Sequence, residues 1–218
     1  MRPFTAVTGP AAPLFRPNID TDVILRVERL VGTTRESMGA WAFESWRFRA
    51  DGSEDPDFVL NREPFRNAPI LIAGPNFGCG SSREGAVWAL AGRGVRAVIA
   101  PSFSDIFRTN ALQNGLLPVT LPEETVARLA EQARAAPETA SVTVDLVAQT
   151  VTGPDGACHP FRIDPARREA LLAGLDDIGL TLRARREIEA WQAADRARRP
   201  WVWAAAGSGT GSGDRSAS

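Results

Sequence analysis

Apolar and polar positions alternate along the middle of the chain in a repeating order. The run Ile70 to Ala73 is short, β-branched and closed by Gly74-Pro75, which predicts a buried strand. Val87, Leu90 and Ala91 then fall at i, i+3 and i+4, the spacing of a helix face. Arg96 to Ala100 reads as a second buried strand after Gly92-Arg93-Gly94. Ser102 as N-cap, with Asp105 three residues on, opens a helix carrying Phe103, Ile106, Phe107 and Ala111. Asn114-Gly115 stops it, and Leu116 to Val119 is a third strand. Pro122 suits a first helical turn, and Val126, Leu129, Ala130 and Ala133 mark the buried face that follows. Strands and helices in this alternation predict a βαβαβ unit with a parallel sheet.

The flanks carry weaker patterns. Phe4 to Val7 predicts a first strand, with Gly9-Pro10 as a turn. Ser37 to Arg49 is amphipathic and holds Trp41, Phe43, Trp46 and Phe48, which read as core or interface. Residues 51–64 form a polar loop. Val142, Val144 and Leu146 alternate, Gly153-Pro154-Asp155-Gly156 turns, and Cys158 to Ile163 returns, which predicts a hairpin against the edge of the same domain. Pro165 to Ala173 is a short helix, Gly174 to Leu182 a compact apolar turn, and Ala184 to Arg199 a helix with Ile188 and Trp191 inward. The run Gly207 to Gly213 buries nothing and predicts a disordered tail over 207–218, after a single domain of 1–206 that ends in a helix.

Composition removes several classes of function. A net charge of −1 gives no bulk attraction to nucleic acid. All 25 basic side chains are arginine, so no Schiff-base lysine exists. The sequence lacks an apolar run long enough for a membrane span and the apolar core of a signal peptide, so a cytoplasmic location is expected. Two cysteines, Cys79 and Cys158, fit a reducing compartment. With His159 they are too few to complete a zinc site or hold an iron–sulfur cluster unaided, so any such centre must come from another chain. His159 itself reads as a surface histidine rather than a general base.

The chemistry concentrates between the first strand and helix of the central unit, in Gly78-Cys79-Gly80-Ser81-Ser82-Arg83-Glu84. Two glycines bare the backbone amides, and two hydroxyls and a guanidinium stand at a helix start, where an anion is favoured. A dinucleotide or phosphate loop is one reading, although Arg83 stands where the third glycine should fall and the phosphate-loop lysine is missing. A glycine turn in a scaffold protein is another. The third is an acid-substrate site, with Arg83 gripping a carboxylate and a serine doing proton chemistry. Upstream, Asp20-Thr21-Asp22 offers either paired acids or a self-capping turn, and composition alone favours the turn.

Asn76-Phe77-Gly78-Cys79-Gly80-Ser81-Ser82-Arg83-Glu84 resembles the motif of the aconitase-like swivelling domain, and more narrowly that of the 3-isopropylmalate dehydratase small-subunit family. Three more blocks resemble it in order: Asn18 to Ile24, Ala100 to Phe107, and Phe161 to Pro165 with Gly174 to Leu182. The resemblance spans residues 3 to 192. It implies a swivelling β/β/α fold with a mostly parallel central sheet, flanking helices and an added hairpin. It also implies a hydro-lyase half-enzyme for a small dicarboxylic hydroxy acid, paired with a large subunit that carries a 4Fe–4S cluster; this chain itself holds no cofactor. By the same resemblance Ser81 is the base, Ser82 and Arg83 bind substrate, and Asp22 lies at the active site, which displaces the plain-turn reading. The substrate-selecting loop falls at Leu30 to Arg35, with Leu30 and Val31 the apolar contacts expected for a branched alkyl group. Gly85 replaces the family's usual His and Arg26 its usual Pro, so a related citraconate, methylmalate or tricarboxylate dehydratase stays open as the alternative.

Overall fold

The computed structural model describes residues 1–203. They fall into two compact units divided after Asp176. The predicted tail over 207–218 lies outside the described residues.

The first unit is built on two sheets. The chain opens with β1 (Ala6–Gly9) and β2 (Ala11–Leu14), then α1 (Thr21–Ile24) and α2 (Glu44–Arg47). The central repeat follows: β3 (Ile70–Ala73), α3 (Glu84–Gly92), β4 (Ala97–Ala100), α4 (Asp105–Gln113), β5 (Leu117–Thr120) and α5 (Glu123–Ala135). Strands β2, β3, β4 and β5 lie in that order, all parallel, as the alternation predicts. Pro13 and Pro118 sit on the two edge strands, where a missing N–H costs the ladder nothing.

Alternate side chains of this sheet feed opposite cores. Leu71, Ala73, Val98 and Ala100 face Val87, Leu90, Phe107 and the aromatic segment around Phe43 and Phe58. Ile70, Ile72, Ala97 and Ile99 face Val126, Leu129, Ala130 and Ala133 of α5, the four positions predicted to be buried. The second core also takes in Val142, Val144, Leu146 and Val151.

Val142, Val144 and Val151 belong to a second sheet, and the predicted hairpin, turning at Gly153 to Gly156, is part of it. Strands β6 (Val142–Asp145), β7 (Thr150–Thr152) and β8 (Cys158–Pro160) join β1 in the order β1-β6-β7-β8, antiparallel throughout. Gly9-Pro10 is therefore the step from one sheet to the other rather than a turn. The sequence hid this because β1 finds its partner across 135 residues, as in the Thr8–Thr143 hydroxyl pair. His159 is half-buried in β8.

Other expectations shift locally. Ser102 does not cap α4; its hydroxyl accepts from Asn76 N at 2.8 Å, and Ser104 stands at the cap. Ala91 and Ile106 are exposed, while α3 buries Gly85, Ala86, Val87, Ala89 and Leu90. Helix α6 (Pro165–Ala173) spans the predicted residues and ends on left-handed Gly174. The loop over 51–64 is tied down by buried Arg47 and Asn61, joined at 3.2 Å.

The second unit is helical: α7 (Asp177–Arg183), α8 (Arg185–Arg198) and α9 (Pro200–Trp203). Asp177 to Leu182 is thus helix rather than a turn, and Trp191 is exposed rather than inward. Its one buried residue in these helices is Asp195, whose carboxylate accepts from Arg198, Arg199 and the Trp203 indole.

Candidate active site

Strands β2, β3 and β4 end on the same edge of the sheet, and the loops that follow them run on side by side. Gly78 N donates to Ile19 O at 2.7 Å, and Thr21 N to Cys79 O at 2.9 Å. On the other flank Phe77 N donates to Ser102 O at 3.1 Å and Ser104 N to Phe77 O at 3.0 Å. Three of the four blocks quoted for the family resemblance are thereby stitched together at the carboxyl edge of a parallel sheet, where open α/β folds place ligands. Gly78 makes the close fit possible. Its φ is +73°, and a Cβ there would lie 2.2 Å from the Phe107 ring.

The Asp-Thr-Asp block divides its work. Asp20 caps α1, accepting from Val23 N at 2.8 Å, so the capping reading is right for this residue. Thr21 is buried, and its hydroxyl donates to Ser81 O at 2.9 Å, fastening the serine loop from beneath. Asp22 points to solvent and accepts from Arg83 Nη1. Arg83 also donates through Nη2 to Ser81 Oγ at 3.2 Å. One guanidinium therefore gathers Asp22 and Ser81.

Ser81 and Ser82 are exposed at the start of α3, and no side chain caps that helix. Its free amides and dipole add a positive field beside the two hydroxyls. The neighbouring Cys79 thiol is pushed up by partial burial and by the Asp20 charge, away from thiolate character.

Leu30 lies at the end of a 3-10 turn, Val27–Leu30, half-buried against the core. It fills the space a side chain at Gly85 would need: a Cβ there would stand 2.4 Å from Leu30 Cδ2. Val31 is 84% exposed and turns away from the core. Arg35 is drawn off by Asn114, to which it donates, and lies over the Trp88 ring at 5.2 Å. Arg26 pairs with Glu28 at the surface, with no tie to the serine loop.

The site is an open face. A cavity of about 510 Å³ lies elsewhere, among Leu14, Arg16, Phe58, Arg62 and Arg134, and shares no residue with the serine loop. Among the described residues no three His, Cys, Asp or Glu side chains are grouped to hold a metal ion. None of the described helices is long and apolar enough to cross a membrane.

Of the residues expected at the site, the fold brings Ser81, Ser82, Arg83 and Asp22 to one edge of the sheet. Thr21 and Asn114 were not among them. Thr21 lay between the two acids that drew attention, and its burial was the missing clue. Asn114 read only as a helix stop.

Residues 1–124 match the family described as the aconitase C-terminal domain, and residues 127–165 match LeuD_N. A 3-isopropylmalate dehydratase small subunit from Rhodospirillum centenum is 53% identical over 202 residues, covering 93% of this chain and 99% of that protein. One from Cupriavidus necator is 50% identical over 204 residues, covering 93% and 98%. The crystal structure of 3-isopropylmalate dehydratase (LeuD) from Methanocaldococcus jannaschii superposes with a TM-score of 0.61 at 25% identity, covering 86% of this chain and 99% of the other. Sharing about half its residues with the Rhodospirillum and Cupriavidus proteins along nearly their whole length, the chain belongs to the family of 3-isopropylmalate dehydratase small subunits.

Proposed function

We propose that this chain is the small subunit of a hydro-lyase that interconverts 2-isopropylmalate and 3-isopropylmalate in leucine biosynthesis. It works in the cytoplasm with a large subunit that carries a 4Fe–4S cluster. The observation that carries the reading is Arg83 bonded to both Asp22 and Ser81 on an open sheet edge.

In this reading Ser81 removes the proton from the substrate carbon and the neighbouring hydroxyl departs as hydroxide, giving the alkene. Hydroxide then adds to the carbon that lost the proton, and Ser81 returns its proton to the carbon that lost the hydroxyl. A serine is a weak base until its alkoxide is stabilised. Arg83 and the uncapped amides of α3 supply that field. Asp22 holds the guanidinium fork in place. A substrate carboxylate then meets it as two parallel hydrogen bonds, with the Ser82 hydroxyl beside them, which fixes the reacting C–H against Ser81. Leu30, half-buried next to the first turn of α3, favours an alkyl branch over a third carboxylate. Arg35, the cation that would welcome such a carboxylate, is engaged with Asn114.

The test is reconstitution. Purified chain, large subunit and the mixture are assayed with 3-isopropylmalate, citraconate and cis-aconitate. Turnover of 3-isopropylmalate by the mixture alone is expected. Turnover by the isolated chain, or a mixture that prefers cis-aconitate, overturns the reading.

A further inference from the structure

Residues 31–34 form an exposed or half-exposed loop, yet each end of it is fixed to the same helix start. At one end Leu30 lies over Gly85, in the first turn of α3. A Cβ at Gly85 would come within 2.4 Å of Leu30 Cδ2 and 3.2 Å of Leu25 Cδ2, so the Leu30 position depends on the absence of a side chain there. At the other end Arg35 donates to Asn114 Oδ1 and lies over Trp88.

Asn114 is bonded through its whole amide. Oδ1 also accepts from Trp88 Nε1 at 3.1 Å, and Nδ2 donates to Glu84 Oε1 at 2.7 Å and to Asn110 O at 2.8 Å. An amide group has two donors and two acceptor sites, and here all four are engaged. No other side chain of that size both accepts from Arg35 and Trp88 and donates to Glu84. Glu84 immediately follows Arg83 and opens α3, so the link ends beside the guanidinium that holds Asp22 and Ser81.

We propose that Gly85 and Asn114 are positioning residues that seat the two ends of the 31–34 loop on α3, and that this seating sets how bulky a substrate side chain the site accepts beside Ser81 and Arg83. The proposal rests on the reading that Ser81 and Arg83 carry turnover. Gly85 leaves room for Leu30 to come down over the helix, which places an apolar wall next to the serine loop. Asn114 keeps the far end of the loop, and the Arg35 charge, away from that wall.

Two variants test it in the complex with the large subunit: Gly85→Ala, which drives a methyl into Leu30, and Asn114→Asp, which keeps the shape but sets a carboxylate against Glu84. Steady-state rates are measured on 3-isopropylmalate and on its methyl analogue, 3-methylmalate. In both variants the preference for the isopropyl acid should fall about tenfold, mainly through KM, with kcat on the methyl acid nearly kept. In the isolated chain, exchange of the Arg29 and Ser37 amides, which flank the loop and donate to Arg26 O and Thr34 O, should accelerate in both variants, with β3 and β4 unchanged. Adding Leu30→Ala to Gly85→Ala should restore the slow exchange without restoring the preference, which a general loss of fold would not do. Unchanged preference in both variants overturns the proposal, as does unchanged exchange. A wild-type complex inactive on both acids refutes the proposed function instead, and the exchange comparison alone then decides the seating.

Discussion

Arg83 at the start of α3 donates to the Asp22 carboxylate in α1, so two blocks 61 residues apart in sequence close on each other. The pair is solvent-facing, with side chains 21% and 51% exposed, so it adds under about 1 kcal/mol to stability. Its worth is in orientation.

Variants at this cluster should therefore separate activity from folding. Ser81→Ala should lower turnover of the assembled enzyme by about a hundredfold or more, because a positioned proton-transfer group is lost. Arg83→Lys should also fail, since a point charge cannot reproduce a two-pronged carboxylate contact. Melting temperature and binding to the large subunit should stay at wild-type values in both. A near-normal rate for Ser81→Ala would reduce the serine to a helix-start residue.

Gly78 should behave in the opposite way. Its left-handed φ and the Phe107 ring, 2.2 Å from where a Cβ would stand, leave no room for alanine. Strain and overpacking together should cost Gly78→Ala about 2–4 kcal/mol. Urea melts of the isolated chain measure this. A midpoint within error of wild type would mean the serine loop can be reshaped at little cost.

The cysteines give a chemical check. Burial first, and the Asp20 charge second, raise the Cys79 thiol pKa. Cys158 is exposed. At pH 7.5 iodoacetamide should therefore modify Cys158 about tenfold faster than Cys79, read by peptide mass spectrometry. Equal rates would show that the loop does not shelter its cysteine.

The C-terminal helices carry their own pH dependence. Arg199 first, then the Trp203 indole and Arg198, hold the Asp195 carboxyl well below the usual carboxylate range. A depressed folded pKa contributes stability that is full above the unfolded value of about 3.9 and is lost as pH falls toward the folded one. Amide protection over residues 196–203 should thus be the same at pH 7 and pH 5 and weaken only below about pH 4. Asp195→Asn should weaken it at all of these pH values and flatten the profile. Wild-type protection in that variant would remove the carboxylate from the account.

What could be read from the sequence was what is local. Ile70 to Ala73 announced a strand, and the i, i+3, i+4 set of α5 announced its buried face, because each segment carries its own periodicity. Ser81 and Arg83 were legible for the same reason, sitting within one short loop. The second sheet was not, since β1 has weak alternation and a distant partner. Ser102 shows a finer failure: it has the right residue type and spacing for a cap, but a neighbouring loop amide claims its hydroxyl. Thr21 and Asn114 were missed because their importance lies in hydrogen bonds to residues 60 and 79 positions away.

The sheet switch at Gly9-Pro10 also constrains how the chain comes together during synthesis. Strands β2 to β5 are complete once residue 120 has emerged, and the parallel sheet can form behind the ribosome. Strand β1 cannot join anything until β6 arrives at Val142–Asp145, so one early strand waits with its backbone unpaired through more than half of translation. At translation speeds of about 5–20 residues per second that is a wait of about 7 to 27 seconds, the interval in which an open strand edge invites mispairing. Only four residues long, and made of alanine, valine, threonine and glycine, β1 presents little that another chain could seize meanwhile.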